Sequence, residues 1–456
     1  MNRFPNSFVL LFYLLLLFAL ATYLVPAGTY ERQIDPETGV TYVIPDSYSR
    51  QVNTPVSFFD VFKAIPAGMM NAGNIIVFVL ITGGSFGIIQ ATGTINRTIS
   101  SVARRFSNRE KALIPIIMFV FSLAGAIFGF AEEVLPLYIF FISLAITVGF
   151  DTITGTAMIL VGTGAGFAAG FLNPFTTGIA QNISELPLFS GLALRLICYV
   201  LLLGSAIAYV YWYASRISTG KTKKFIANMD FNPSLNEMPT LDSKHKRVFL
   251  AIIVFMVFML YAVLRLDFHI IEISTTFLVT GIVCGVLAGF NPSQIANEFN
   301  KGATNLLSAA LIIGLSRAIM MIMIYGNILD TIIFYLASAI QVFPPIISAN
   351  LMFFAQSIIN IFIASGSGQA TVTMPIMANI ADISGFTRQT AVLALQFGDG
   401  FTNVISPTSG YFMAALAISG IPWSKWFKWM LPLFIIWVII GCILMTVAVL
   451  MNYGPF

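Results

Sequence analysis

Twice along this chain, an apolar run long enough to cross a hydrocarbon layer is interrupted by glycine, proline and clustered hydroxyl residues. The first interruption lies in GAGFAAGFLNPFTTG, Gly164 to Gly178, and the second in GDGFTNVISPTSG, Gly398 to Gly410. Lipid offers no partner to a freed N–H or C=O, so a break at that depth is tolerated only when buried in protein or lining a wet cavity. A chain carrying two must fold around both. Paired Gly/Pro breaks in corresponding positions of two halves point to a ligand site near the bilayer midplane of a secondary transporter.

Composition agrees: 58% of residues are hydrophobic and 9% charged, against about 25% charged in soluble domains. About ten apolar passes of roughly 20 residues can be counted, the first from Phe8 to Val25, a retained helix rather than a signal peptide. The three cysteines, Cys198, Cys284 and Cys442, stand apart inside apolar runs, which fits core packing and neither disulfides nor metal spacing. The two histidines, His245 and His269, lie in or beside polar connections. No metal site or cofactor is expected, although Na+ or H+ could serve as a coupling ion. A net charge of +4 gives no reason to expect nucleic acid.

Excess Lys and Arg marks cytoplasmic connections, and two stand out. One carries Arg97, Arg104, Arg105, Arg109 and Lys111; the other runs from Ser215 to Arg247. Both can be cytoplasmic only if residues 112–149 return to the side they left. That segment, with Glu132, Glu133 and Pro136 at its centre, reads as a re-entrant hairpin of two half-depth helices. It is followed by the broken helix 153–186. The second half repeats the order, with a hairpin at 345–381 around ASGSGQATVTMP and a broken helix at 387–419. The expected fold is therefore an all-α polytopic membrane protein with an inverted-topology repeat. Its units are a first helix and extracytoplasmic loop (1–71), repeat 1 (72–213), a basic cytoplasmic linker (214–247), two helices opening the second half (248–303), and repeat 2 with the final helix (304–456). This places the N-terminus in the cytoplasm and the C-terminus outside.

Within that frame, Glu132 and Glu133 at the first hairpin tip are the outstanding candidates. A carboxylate at the bilayer centre is costly and faces the protein interior, a partner or water; two together ask for a cation. Asp399 is a third acid at similar depth, opposite the neutral Ala165 of the first break. The plainer readings are structural acids, or Asp399 pairing with Arg317. Asn173, Thr176 and Thr177 of the first break, and Asn403, Ser406, Thr408 and Ser409 of the second, offer amide and hydroxyl groups beside freed backbone, and Pro174 between them is counted with the substrate-binding candidates. Broken half-helices direct N-termini at anions and C-termini at cations, so a pair can hold a zwitterion. Each hydroxyl taken singly could equally back-bond to its own helix. Ser365, Ser367 and Gln369 form an uncharged second tip, a gate or a plain flexible turn. Candidate coupling-ion ligands are Glu132, Glu133, Asn173, Ser365, Asp399 and Ser406. Arg317 reads as an internal ion-pair partner for an acid, or else as a ligand for a substrate carboxylate, with the first favoured. The segment WSKWFKWM, Trp423 to Met430, reads as an interfacial anchor.

The chain resembles the YfcC family of bacterial membrane proteins, within the group that includes C4-dicarboxylate anaerobic carriers and arginine/ornithine antiporters. The motifs are YLVPAGTYE (Tyr23 to Glu31), VIPDSYS (Val43 to Ser49), GGSFGIIQATGTI (Gly83 to Ile95), FGFAEEVLP (Phe128 to Pro136) and NPFTTGIAQ (Asn173 to Gln181). Asp46 stands where the family usually has glycine. The resemblance implies the ion-transporter superfamily fold, a dimerising scaffold domain with a transport domain that moves like an elevator, in a bacterial inner membrane. It implies a small-molecule substrate. Three buried acids against one arginine then rank arginine, ornithine or lysine, by exchange or Na+/H+ coupling, above a dicarboxylate. A channel would need a charged or carbonyl ring, a hydrolase a nucleophile with its base, and an ATP-driven pump a phosphate-binding loop; none is legible, and the chain is not expected to be an enzyme.

Overall fold

The computed structural model describes residues 7–34, 41–107, 109–227, 242–266 and 268–454. Its helices in the first half are α1 (Ser7–Leu24), α2 (Phe58–Asn71), α3 (Gly73–Ala91), α4 (Thr94–Arg105), α5 (Leu113–Phe128), α6 (Tyr138–Thr147), α7 (Thr152–Ala169), α8 (Ile179–Ile183) and α9 (Leu192–Ser218). The second half has α10 (Ser243–Arg265), α11 (Ile270–Leu287), α12 (Pro292–Asn305), α13 (Leu307–Tyr325), α14 (Leu329–Ile340), α15 (Pro345–Phe362), α16 (Gly366–Ser384), α17 (Arg388–Thr402), α18 (Gly410–Ser419) and α19 (Trp423–Leu450). Among the described residues, 10 helical stretches are long and apolar enough to cross a membrane.

Three helices of the first half have counterparts of equal length in the second. The α2 and α12 helices have 14 residues each, α3 and α13 19 each, and α4 and α14 12 each. The pairs α2–α3 and α12–α13 run alongside one another in opposite directions, α2 against α13 and α3 against α12. Glycines set the closeness of that crossing: Gly68 lies on the Gly314 and Ala318 backbone, and Gly87 on Gly302. Small residues let helices approach in lipid, where dispersion rather than the hydrophobic effect holds them.

Residues 58–71, at the end of the segment read as an extracytoplasmic loop, are helical. Their start is fixed by a capping box, Ser57 with Asp60, a signal present in the sequence. Similarly α12 is separated from α13 by Leu306 alone. The loop after α1 carries a two-stranded pairing of Arg32–Ile34 with Thr41–Val43. Asp330 of α14 holds it, accepting from the Tyr30 amide at 2.9 Å and pairing with Arg32 at 2.9 Å. Asp46 sits at φ 61°, a left-handed conformation that explains a preference for glycine there. Residues 228–241 of the basic linker lie outside the described set.

Both hairpins return to the end they left. At one end of the bundle, Lys111, just before α5, lies over the Tyr211 ring, and Asp151, just after α6, accepts from Tyr213 at 2.8 Å; both tyrosines sit on α9 near its C-terminus. At the other end, Gly385 meets Pro345. The arms are not half-depth, however: α15 and α16 have 18 and 19 residues and α5 has 16, the last about 24 Å long. Only α6, with 10 residues, is short, because Glu132–Leu137 ahead of it winds as a tighter 3₁₀ turn around Pro136.

Helices α7 and α17 are the buried axes. Every residue of α17 from Gln389 to Thr402 is buried, and so is all of α7 except Phe167. Their Gly, Ala and Thr composition permits this, with Gly400 against Ala168 and Gly164 against Val404.

Candidate functional site

Both breaks form where the sequence places them. Helix α7 ends at Gly170, which takes a left-handed conformation at φ 47°, and the chain resumes through a wide π-helical turn at Pro174–Gly178. Asn173 caps that turn: its Oδ1 accepts from the amides of Phe175 at 2.9 Å and Thr176 at 3.2 Å. The Thr177 hydroxyl donates to the Gly170 carbonyl at 2.7 Å and faces Gln396 Oε1 of α17 at 3.1 Å. Gln396 in turn donates to the Phe167 carbonyl. Thr177 and Gln396 thus satisfy the broken backbone, whereas Asn173 Nδ2 and Thr176 Oγ1 are buried with no hydrogen-bond partner. Pro174, the first residue of that turn, is exposed.

The second break spans Asn403 to Ser409. Asp399, 1% exposed, sits on the last turn of α17. Its Oδ1 accepts from Asn360 Nδ2 at 2.5 Å and Asn403 Nδ2 at 2.6 Å. Its Oδ2 is buried with no partner. Freed carbonyls of this break are taken by indoles, Trp426 Nε1 to Val404 O and Trp423 Nε1 to Ile405 O, both at 3.0 Å. Trp426 is fully buried, so this tryptophan is a structural donor to the break and not a headgroup anchor.

The hairpin tips meet these breaks. A Cβ built on Gly366 would overlap Thr176 Cγ2 and lie 2.6 Å from Asp399 Oδ2, so the second tip touches both breaks at once. Gly129, at the first tip, faces Asn173 Oδ1. Glu132 and Glu133 are half-buried, and Glu133 accepts from the Ala131 amide at 3.0 Å. Glu132 lies within electrostatic reach of Arg317, Asp399 and Tyr411. The expected Arg317 ion pair is not formed. Among the described residues no carboxylate reaches it; its Nη1 is 3.9 Å from Met320 Sδ, and it lines a small cavity with Ala364, Thr408 and Gly410. An arginine left facing a cavity can answer a ligand's charge.

Other predicted groups turn elsewhere. Gln369 Nε2 donates to Gln356 Oε1 at 2.7 Å and O at 2.8 Å, within its own hairpin. Ser365 caps α16, and Ser406 and Thr408 bond each other at 2.7 Å. Ser367 is half-buried, and Ser409 makes no side-chain cap to α18. The amides Asn360 and Gln396 were missed. Each is a polar side chain within a buried helix run, a signal readable in advance.

The tip contact can be tested directly. Gly366→Ala is expected to weaken substrate binding about 5-fold or more, since overpacking of this kind costs about 1–3 kcal/mol; isothermal titration in detergent would read it. Unchanged affinity would mean the tip stands clear of the ligand.

Residues 4–450 match the family described as the C4-dicarboxylate anaerobic carrier, DcuC. The chain is 30% identical to YfcC of Escherichia coli (strain K12), covering 98% of this chain and 97% of that one; that protein's name carries a provisional assignment as a basic amino acid antiporter. It is 24% identical to an uncharacterized protein of Haemophilus influenzae (strain ATCC 51907 / DSM 11121 / KW20 / Rd), with the same coverages. Among solved structures, the YdaH transporter of Alcanivorax borkumensis aligns with a TM-score of 0.46 at 15% identity, over 99% of this chain and 100% of that one. MtrF of Neisseria gonorrhoeae aligns at 0.45 and 16%, over 100% and 98%. The whole-length family match and the 30% identity decide the matter: the chain belongs to the C4-dicarboxylate anaerobic carrier family and is a multi-pass membrane transporter.

Proposed function

We propose that this transporter moves basic amino acids by alternating access, through exchange or Na+/H+ coupling, with the ligand held between the two breaks and the two hairpin tips. The observation that carries this reading is Asp399: a buried carboxylate with one oxygen satisfied and the other unpartnered, against Gly366 and Thr176. Such an oxygen asks for a positive charge. Glu132 and Glu133 add negative charge nearby, and Asn173 Nδ2 offers a donor for the substrate carboxylate. A coupling Na+ or proton would use Asp399 Oδ2 with Thr176 Oγ1 and Asn360 Oδ1, all buried without partners.

The matched lengths of α2–α3 with α12–α13, and their opposed directions, support an inverted repeat. In this reading the paired long helices form a scaffold, which dimerises, and the hairpins with α7–α8 and α17–α18 form the moving part of an elevator. The end bearing Arg104, Arg105 and Lys111 is cytoplasmic, as is the N-terminus.

Proteoliposomes loaded with unlabelled arginine, ornithine or lysine should take up labelled arginine, while C4-dicarboxylates should neither compete nor exchange. Uptake of dicarboxylate alone would overturn the proposal. That second reading is favoured by one observation, the unpaired Arg317 beside the second tip.

A further inference from the structure

Helix α13 brings Ser316 and Arg317 side by side to a small cavity that also meets Met320, Ala364 of the second tip, and Thr408 and Gly410 of the second break. Ser316 is 5% exposed, and its hydroxyl is buried with no hydrogen-bond partner among the described residues. It does not even back-bond to its own helix, the usual fate of a serine in an apolar span. Arg317 is half-buried, and the one contact of its guanidinium with a hydrogen-bonding atom among the described residues is Met320 Sδ at 3.9 Å.

Glu132 stands within electrostatic reach of that guanidinium without pairing with it, so it supports the charge and leaves the N–H groups unspent. Those groups form a planar fork that fits a carboxylate. The same cavity receives the start of α18. Its first residue, Gly410, packs on Ile313, about one turn before Arg317 on α13, and Ser409 leaves the helix without a side-chain cap. First-turn amides are unpaired donors at the positive end of the helix dipole. A helix start alone is no site. Here a buried, unpartnered hydroxyl and an arginine converge on it, and no acid is among the lining residues.

We propose that Arg317, Ser316 and the N-terminal turn of α18 hold the carboxylate of the transported ligand and set its preference for an acid over the corresponding amide. This rests on the reading above, in which the ligand lies between the breaks and the tips. The second tip joins the two poles: Ala364 lines the cavity, and Gly366, two residues on and roughly 7 Å away at most, meets Asp399 Oδ2. A cationic group at Asp399 and a carboxylate at Arg317 are then the two ends of one amino acid. Asn173 Nδ2, at the other break, is a single neutral donor and the weaker carboxylate ligand of the two.

Isothermal titration of the full chain in detergent, with arginine against argininamide and succinate against succinamate, isolates this contact, because each pair differs by one carboxylate. For whichever pair binds, the acid should be held about 30-fold more tightly than the amide, and Arg317→Gln should bring the two within about 3-fold by weakening the acid alone. Ser316→Ala removes a hydroxyl that bonds nothing in the protein, so it should weaken the acid about 5-fold and leave the melting temperature unchanged. It decides the matter should Arg317→Gln fail to fold. Arginine held as tightly by both variants as by the unsubstituted protein overturns the proposal and leaves the basic amino acid reading standing. Binding of the succinate pair alone overturns that reading instead, and the succinate-to-succinamate ratio then tests Arg317 by the same standard. If neither pair binds, both fall.

Discussion

Asp399→Asn should abolish transport while leaving the protein folded. The substitution is nearly isosteric and keeps an oxygen for the two amide donors, Asn360 and Asn403, at 2.5 and 2.6 Å. What it removes is the charge on Oδ2, the oxygen that faces Gly366 and Thr176 without a partner. Removing one member of a buried charge pair costs about 2–5 kcal/mol, so uptake should fall roughly 30-fold or more. The check is proteoliposome uptake alongside a melting curve. Transport within a few-fold of the unsubstituted protein, with all ion dependence retained, would remove Asp399 from the site.

The largest effect on stability belongs to Gly166→Ala. On one face of α7, Gly162 and Gly166 pass directly over α5, and Gly125 of α5 passes over the Thr163 carbonyl. A Cβ on Gly166 would overlap the Ser122 carbonyl, which is backbone and cannot rotate aside. The helices must separate, and α7 is buried nearly throughout, so the strain has no outlet toward lipid. A loss of about 3 kcal/mol or more is expected, the upper end for overpacking, with poor expression and a lowered melting temperature. Gly204→Ala is the control: nothing lies within 4 Å of its Cβ, and alanine is favoured over glycine in a helix by about 1 kcal/mol. Equal melting temperatures for Gly166→Ala and Gly204→Ala would show that the α5–α7 crossing is looser than its geometry.

Much of this site was legible because its signals are departures from lipid chemistry. The breaks at Asn173 and Asn403, the acids at 132, 133 and 399, and the glycine tip at 366 all stand out against apolar neighbours. What the linear order hides is which of them touch. Nothing in the sequence says that Gly366 reaches Thr176, that Gln369 turns inward to Gln356, or that Trp426 leaves the surface to cap Val404. Those depend on where two hairpins land, a property of the assembled helices. The Arg317 pairing failed for the same reason, since opposite charge predicts attraction and not contact. Asn360 was missed although a polar side chain within an apolar helix is readable as an intramembrane exception.

The amides inside the second hairpin carry a consequence for how it moves. Gln356 of α15 accepts from Gln369 at its carbonyl and its side chain, and donates to Thr373 at 3.0 Å. Parting the two arms would strand these groups in a dry interior, where unmade hydrogen bonds are costly. The arms are thus riveted together. Any opening of this element must swing it as one stiff flap, pivoting where Pro344 and Pro345 enter and Gly385 leaves, with the tip at Gly366 sweeping the widest arc.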